Sequence, residues 1–235
     1  MMLNYLIIIL IINSLIFLSH EKISRYYNIY DTPDNSRKFH KKPTSLVGGP
    51  LIIFNLIFYI LYVYFKGDIS QTDYYLSNKT LFIFLFLIST FFLIGYFDDK
   101  SDISANKKFI TTILLVYFSI LIDKNILISE LSFTFTPKII YLENFSIIFT
   151  VICIMLFINA FNMFDGINGQ AGSYFFILLV VLYLKDFNTI ILITFLIPTL
   201  FFLLLNLKDK MFLGNTGSLV LSIMISLFFI LHYNS

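Results

Sequence analysis

Four polar clusters interrupt an otherwise apolar chain, and their residue types are those that handle phosphates and cations. The first runs from Asp31 through Arg37, Lys38, His40, Lys41 and Lys42 to Gly48 and Gly49. The second is the acidic pair Asp98 and Asp99, the third spans Asn159–Asn168, and the fourth spans Phe212–Ser218. Each has a chemical reading and a plain one. Asp98 and Asp99 close an apolar segment, where a carboxylate is costly unless it is solvated, paired or metal-bound. Neighbouring helical residues point about 100° apart, so the two acids are expected to find different partners. They suit a general base plus a metal or phosphate-site ligand; the plain alternative is a solvated helix end beside Lys100.

Asn159, Asn162 and Asp165 are spaced by three. On a helix they share an arc of roughly 120°. Two amides and a carboxylate in one stripe can ligate a hard cation through oxygen, or they can serve interhelical hydrogen bonding. Gly166 and Gly169 are expected to break that helix. In Phe212–Ser218 the backbone N–H groups of a helix start can attract phosphate; alternatively Thr216 or Ser218 simply caps the helix. The basic loop can hold a phosphorylated lipid or a nucleotide diphosphate. Positive-inside charge and anionic headgroups explain most of its charges, but not its histidine or paired glycines. His20 and His232 read as interfacial.

These clusters must be positioned by membrane helices. Hydrophobic residues make up 58% of the 235-residue chain and charged residues 13%, against about 25% charged in soluble domains. That excludes a water-soluble protein and predicts an all-α, polytopic membrane bundle. Eight apolar segments can be drawn: 3–18, 46–65, 81–97, 109–122, 145–164, 174–184, 190–205 and 219–233. The first is expected to be a retained helix and not a signal peptide, since no Lys or Arg precedes it. The sixth and seventh form either two spans joined by a turn at 185–188 or one re-entrant unit. Counting Lys and Arg places eleven in one set of loops and five in the other. The positive-inside rule then puts the N-terminus outside and all four clusters on the cytoplasmic face. Residues 131–136 alternate with period two and predict an outer strand or hairpin. The single Cys153 packs as a small hydrophobe, no nucleic-acid signature is present, and residues 1–235 read as one domain. Acids at a membrane edge, not its midplane, argue against an ion transporter.

Together and in this order, the motifs from about Asp31 to Ser222 resemble the polyprenyl-phosphate N-acetylhexosamine-1-phosphate transferases. The basic loop ending in Gly-Gly looks closer to the GlcNAc-1-phosphate branch than to the muramoyl-pentapeptide branch. The resemblance implies magnesium-dependent transfer of a phosphosugar from a UDP-N-acetylhexosamine to polyprenyl phosphate in a bacterial inner membrane, for cell-wall or lipopolysaccharide biogenesis. By resemblance, Asp98 and Asp99 match the family's acidic pair and Asp165 a core acid near the diphosphate. Asn162 matches an amide near the metal, and Phe212 the aromatic against uracil. Asn168 falls where relatives often have a nucleotide-reading acid. Arg37, Lys38 and His40 match the first cytoplasmic loop, and Lys107 or Lys108 contacts the phosphates. Two features depart from the pattern. Asn215 stands where the family usually has a magnesium-binding aspartate, so magnesium affinity is expected to fall. Relatives also continue past the eighth span through about two more helices and a His- or Arg-rich loop. The chain is therefore expected to be a short form, a truncated one, or one completed by a partner chain or self-association. A catalytically impaired subunit that binds nucleotide-sugar or lipid phosphate is the alternative function.

Overall fold

The structure, a computed structural model, describes residues 2–32, 43–66, 77–185, 187 and 189–235. Eight helices carry the described chain: α1 (Met2–Tyr27), α2 (Gly48–Lys66), α3 (Asn78–Ser101), α4 (Ala105–Ile122), α5 (Ser146–Phe164), α6 (Gln170–Leu184), α7 (Thr189–Asn206) and α8 (Gly214–Tyr233). Each overlaps one of the eight apolar segments. Five of them, α1, α3, α4, α5 and α8, are long and apolar enough to cross a membrane. The helices outrun the apolar runs that mark them. α1 continues nine residues past Leu18, because backbone hydrogen bonding does not stop where hydropathy does. α4 begins at Ala105, so Lys107 and Lys108 lie in its first turn and not in a loop.

Local chemistry sets several ends. Ser77 caps α3 by accepting from the Thr80 N–H at 3.1 Å, as an N-cap hydroxyl should. Asp102 ends the same helix in the left-handed region at φ 47°. A hairpin is present where the alternation predicted a strand or hairpin, as β3 (Glu130–Phe133) and β4 (Thr136–Tyr141), antiparallel. A second antiparallel pair, β1 (Tyr30–Asp31) with β2 (Thr44–Ser45), was not signalled by any alternation.

Hydrogen bonds sort the helix termini into two ends. At one, the hydroxyls of Ser24 and Ser45 bond each other and Phe212 N–H donates to Ser45 O at 2.8 Å. At that same end Gly169 N–H donates to Asn206 Oδ1 at 2.6 Å. There α1, α3, α5 and α7 finish and α2, α4, α6 and α8 begin. At the other end Asn125 donates to Thr80 at 2.9 Å, and the Ser132 N–H donates to the Tyr233 hydroxyl at 2.7 Å. Phe187, in the α6–α7 turn, meets His232 at 6.0 Å there. The α6–α7 turn therefore lies at the end opposite the start of α8.

α8 is the axis. Of its most apolar stretch 83% is buried, against 17% for that of α1. A helix apolar on all sides belongs in the interior. Phe228 stacks on Phe84 at 5.2 Å and meets Phe187 at 5.4 Å. Outer helices show Leu15, Leu18, Leu93, Leu156 and Leu204 on the surface, the side that lipid would cover. Without a hydrophobic force between helices in lipid, close backbone approach and polar clasps do the joining. Asn13 on α1 and Asn55 on α2, both buried, exchange amide hydrogen bonds at 2.8 and 3.1 Å. α3 crosses α8 so tightly that a Cβ on Gly95 would lie 2.5 Å from Thr216 Cα and 2.7 Å from Asn215 O. Backbone atoms cannot swing aside, so Gly95→Ala must part the two helices. We expect it to lower stability by about 1–3 kcal/mol, the usual cost of overpacking. Thermal unfolding of the detergent-solubilised protein checks this, and an unchanged midpoint would contradict it.

Candidate active site

The end of α3 meets the start of α8 through a carboxylate. Asp99 Oδ1 accepts from the Asn215 N–H at 2.8 Å, and Oδ2 accepts from the Thr216 N–H at 3.0 Å and its hydroxyl at 2.6 Å. Two of the first N–H groups of a helix are thus met by a negative charge from another helix, where the helix dipole favours one. Gly214 makes this possible. It sits at φ +67°, and a Cβ there would lie 2.7 Å from Asp99 Oδ2. The N–H groups read from sequence as open to phosphate are therefore occupied from within the chain. Neither Thr216 nor Ser218 caps its own helix: no side-chain cap closes α8. Ser218 instead donates to Asn162 Oδ1 at 2.7 Å, which ties α8 to the stripe on α5.

Asp98 points elsewhere, as the helical offset predicts. It is 4% exposed. Its Oδ1 accepts from the Ile103 N–H at 2.9 Å and its Oδ2 from Lys108 Nζ at 2.6 Å. The short loop from α3 to α4 is folded around this one carboxylate. Lys107, next to Lys108, is exposed.

On α5, the exposed Asn159 turns back to donate to Met155 O at 2.9 Å. Asp165 follows the helix's last residue. Among the described residues it has no hydrogen-bond or ion-pair partner. It reaches the surface in part, yet protein atoms crowd it. Burial, and then the charge of Asp99, push its carboxyl up to about 8. Asn168, four residues after Phe164, donates to the Asp209 carboxylate. Phe212 is half-buried, its N–H bonded to Ser45 O and its C=O accepting from Gly48 N–H at 3.3 Å. The strand–helix start around Ser45 and Gly48 is thereby fastened to the aromatic. Arg37, Lys38 and His40 lie outside the described residues.

The structure thus brings Asp98, Asp99, Asn162, Asp165, Lys108 and Asn215 to one end of the bundle. Two residues of that end carried no motif. Buried Asn206 accepts from the Gly169 N–H and donates to Met211 O at 2.8 Å. Asp209, at φ 55°, receives Asn168. The only sequence signal for Asn206 is that it is the first polar side chain after the apolar run of α7.

A divalent cation fits this end by charge. The Asp165 carboxyl is raised by burial first and then by the charge of Asp99, a repulsion that a cation relieves. The Asn215 side-chain amide carries no hydrogen bond among the described residues, which leaves its oxygen for a hard ion. Among the described residues no three His, Cys, Asp or Glu side chains are grouped to hold a metal. The cation would have to rely on amides and on substrate oxygens.

Comparison with known proteins identifies the family. Residues 81–233 match the family described as Glycosyl transferase family 4, and the chain belongs to that family. It is 32% identical over 199 residues to the phospho-N-acetylmuramoyl-pentapeptide-transferase of Petrotoga mobilis, covering 77% of this chain and 59% of the relative. It is 29% identical over 168 residues to the undecaprenyl-phosphate alpha-N-acetylglucosaminyl 1-phosphate transferase of Escherichia coli O157:H7, covering 72% of this chain and 42% of that protein. The Yersinia pestis protein of the same name is 29% identical over 209 residues, 53% of its length. The chain therefore spans less than two thirds of these relatives. Identity does not separate the two branches.

The raised Asp165 carboxyl has a consequence for stability. A carboxyl whose folded pKa exceeds its ordinary value of 3.8 favours the fold at pH below that value and loses this contribution as pH climbs through about 8. In EDTA the wild type should lose stability across that window relative to Asp165→Asn. Magnesium at pH 8 should recover stability in the wild type and less in the variant. Thermal unfolding against pH measures both, and parallel curves would contradict the assignment.

Proposed function

We propose that this chain transfers a phospho-N-acetylhexosamine from a UDP-sugar to polyprenyl phosphate, releasing UMP, at the cytoplasmic face of a bacterial plasma membrane. The reading is supported by the family match across 81–233, which contains three of the four polar clusters, and by the names of the relatives on both branches. The observation that carries it is the unpartnered Asp165 beside Asp99 and the Asn215 turn. In this proposal the eight helices all span, the N-terminus lies outside, and residues 1–235 act as one domain.

In the reaction an oxygen of the lipid phosphate bonds to the sugar-linked phosphorus of the donor. The bond from that phosphorus to the bridging oxygen breaks, and UMP leaves with the oxygen and its electron pair. Such transfer needs mainly positioning and charge neutralisation. Magnesium, when bound, would screen the diphosphate charge; Asn162 and Asn215 are the residues to hold it, with the Asp165 charge beside them. Lys107 and Lys108, with Arg37, Lys38 and His40 of the first loop, neutralise phosphoryl oxygens. Phe212 lies against uracil and Asn168 reads the nucleotide. Asp98, Asp99 and Asp165 make up the acidic part of the site.

A second reading, binding without turnover, is favoured by Asn215, which offers an oxygen but no charge. One assay separates the two. Purified protein with undecaprenyl phosphate, magnesium and a UDP-N-acetylhexosamine should release UMP. Asp165→Asn should cut the rate at least about a hundredfold, the scale of a lost charge-stabilising group. Asn215→Asp should lower the magnesium needed for half-maximal rate. A wild type that binds UDP-sugar but stays inert supports the second reading, and one that does neither sinks both.

A further inference from the structure

Every oxygen of the acidic pair already accepts a hydrogen bond, and the partners differ in kind. Asp99 holds backbone N–H groups and a hydroxyl of α8. Asp98 holds one backbone N–H and one ammonium. A general base must offer a lone pair within hydrogen-bond reach of the substrate. Asp98 keeps spare lone pairs, but at 4% exposure, with Ile103 N–H at 2.9 Å on Oδ1 and Lys108 Nζ at 2.6 Å on Oδ2, the protein closes them off from a substrate. Lys108 is placed differently. Its side chain is 24% exposed, and an ammonium has three donors, of which Asp98 takes one. It lines a cleft of about 330 Å³ between α4, α5 and α8, with Asn106, Thr112, Asn159 and Asn162 as further polar residues and an apolar wall that includes Phe109 and Leu219. A polar set with one cation, continuous with an apolar wall, fits an anionic phosphoryl group on a hydrocarbon tail.

We propose that Asp98 is a positioning residue that acts through Lys108: it fixes the ammonium at the cleft, and the ammonium, not the carboxylate, meets the phosphoryl oxygen. The carboxylate also folds the α3–α4 loop, which sets where α4 starts and so where Lys108 emerges. The identity of the ligand as a prenyl phosphate rests on the function proposed above. The assignment narrows the role of Asp98 from proton acceptor to anchor.

The test is a double-variant cycle on the full chain in detergent, with farnesyl phosphate as the binding probe. Lys108→Met should weaken binding about tenfold, the scale of one charge-assisted hydrogen bond. Asp98→Asn should weaken it to a similar degree, and the double variant should bind no more weakly than Lys108→Met alone. Lys108→Arg should recover part of the loss. Losses that multiply in the double variant, an Asp98→Asn variant with wild-type affinity, or a wild type that does not bind the probe would each overturn the proposal. Turnover gives a second readout. Asp98→Asn should raise KM for the lipid phosphate and keep kcat within about tenfold, whereas a lost general base costs roughly 10²–10⁴ in kcat. A kcat loss on that scale with KM unchanged would make Asp98 the base. If the wild type releases no UMP while the binding cycle holds, the transfer reading fails and the anchoring role stands.

Discussion

The carboxylate of Asp99 seated on the start of α8 is the interaction on which the rest of this end depends. It meets two backbone N–H groups and a hydroxyl from a different helix. Gly95 lets α3 come within backbone contact of Thr216, and Gly214 leaves room for the carboxylate itself. Once α8 is fixed there, Ser218 reaches Asn162 on α5, and the Phe212 backbone fastens the start of α2. Asn215 is held by its own N–H while its side chain stays open. Loss of the Asp99 charge would leave these contacts without a common reference.

The distribution of polar groups follows from the same constraint. In a bundle whose outer helices meet lipid with Leu, Ile and Phe, specificity of packing has to come from small residues and from clasps such as Asn13 with Asn55. α8, buried on nearly every side, needs no lipid-facing side and can spend its first turn on the site. The far end is held by neutral hydrogen bonds, Thr80 with Asn125 and Tyr233 with the β3 strand. The acids of the four clusters that the structure describes away from the chain's first loop are gathered at the other end.

Much of this was legible in the residues. Apolar runs gave all eight helices, because a lipid-spanning segment has few alternatives to a helix. The i, i+1 offset of Asp98 and Asp99 gave their divergent partners, and the alternation at 131–136 gave the hairpin. Other features were hidden. Hydropathy does not report where a polar helix end stops, so α1 was read short and Lys108 was read as a loop residue. A glycine before Asn215 signals either phosphate or a close carboxylate, and only the crossing of α3 with α8 decides for the carboxylate. Asn206 and Asp209 join the site's edge through tertiary contacts that no local spacing encodes.

The central claim is that Asp99 caps α8 from α3. Backbone amide hydrogen exchange at Asn215 and Thr216 tests it most directly. Both N–H groups should be protected in the wild type and exchange freely in Asp99→Ala, while Phe228–Leu231 at the far end of α8 keep their protection. Equal protection at Asn215 and Thr216 in both proteins would contradict the account.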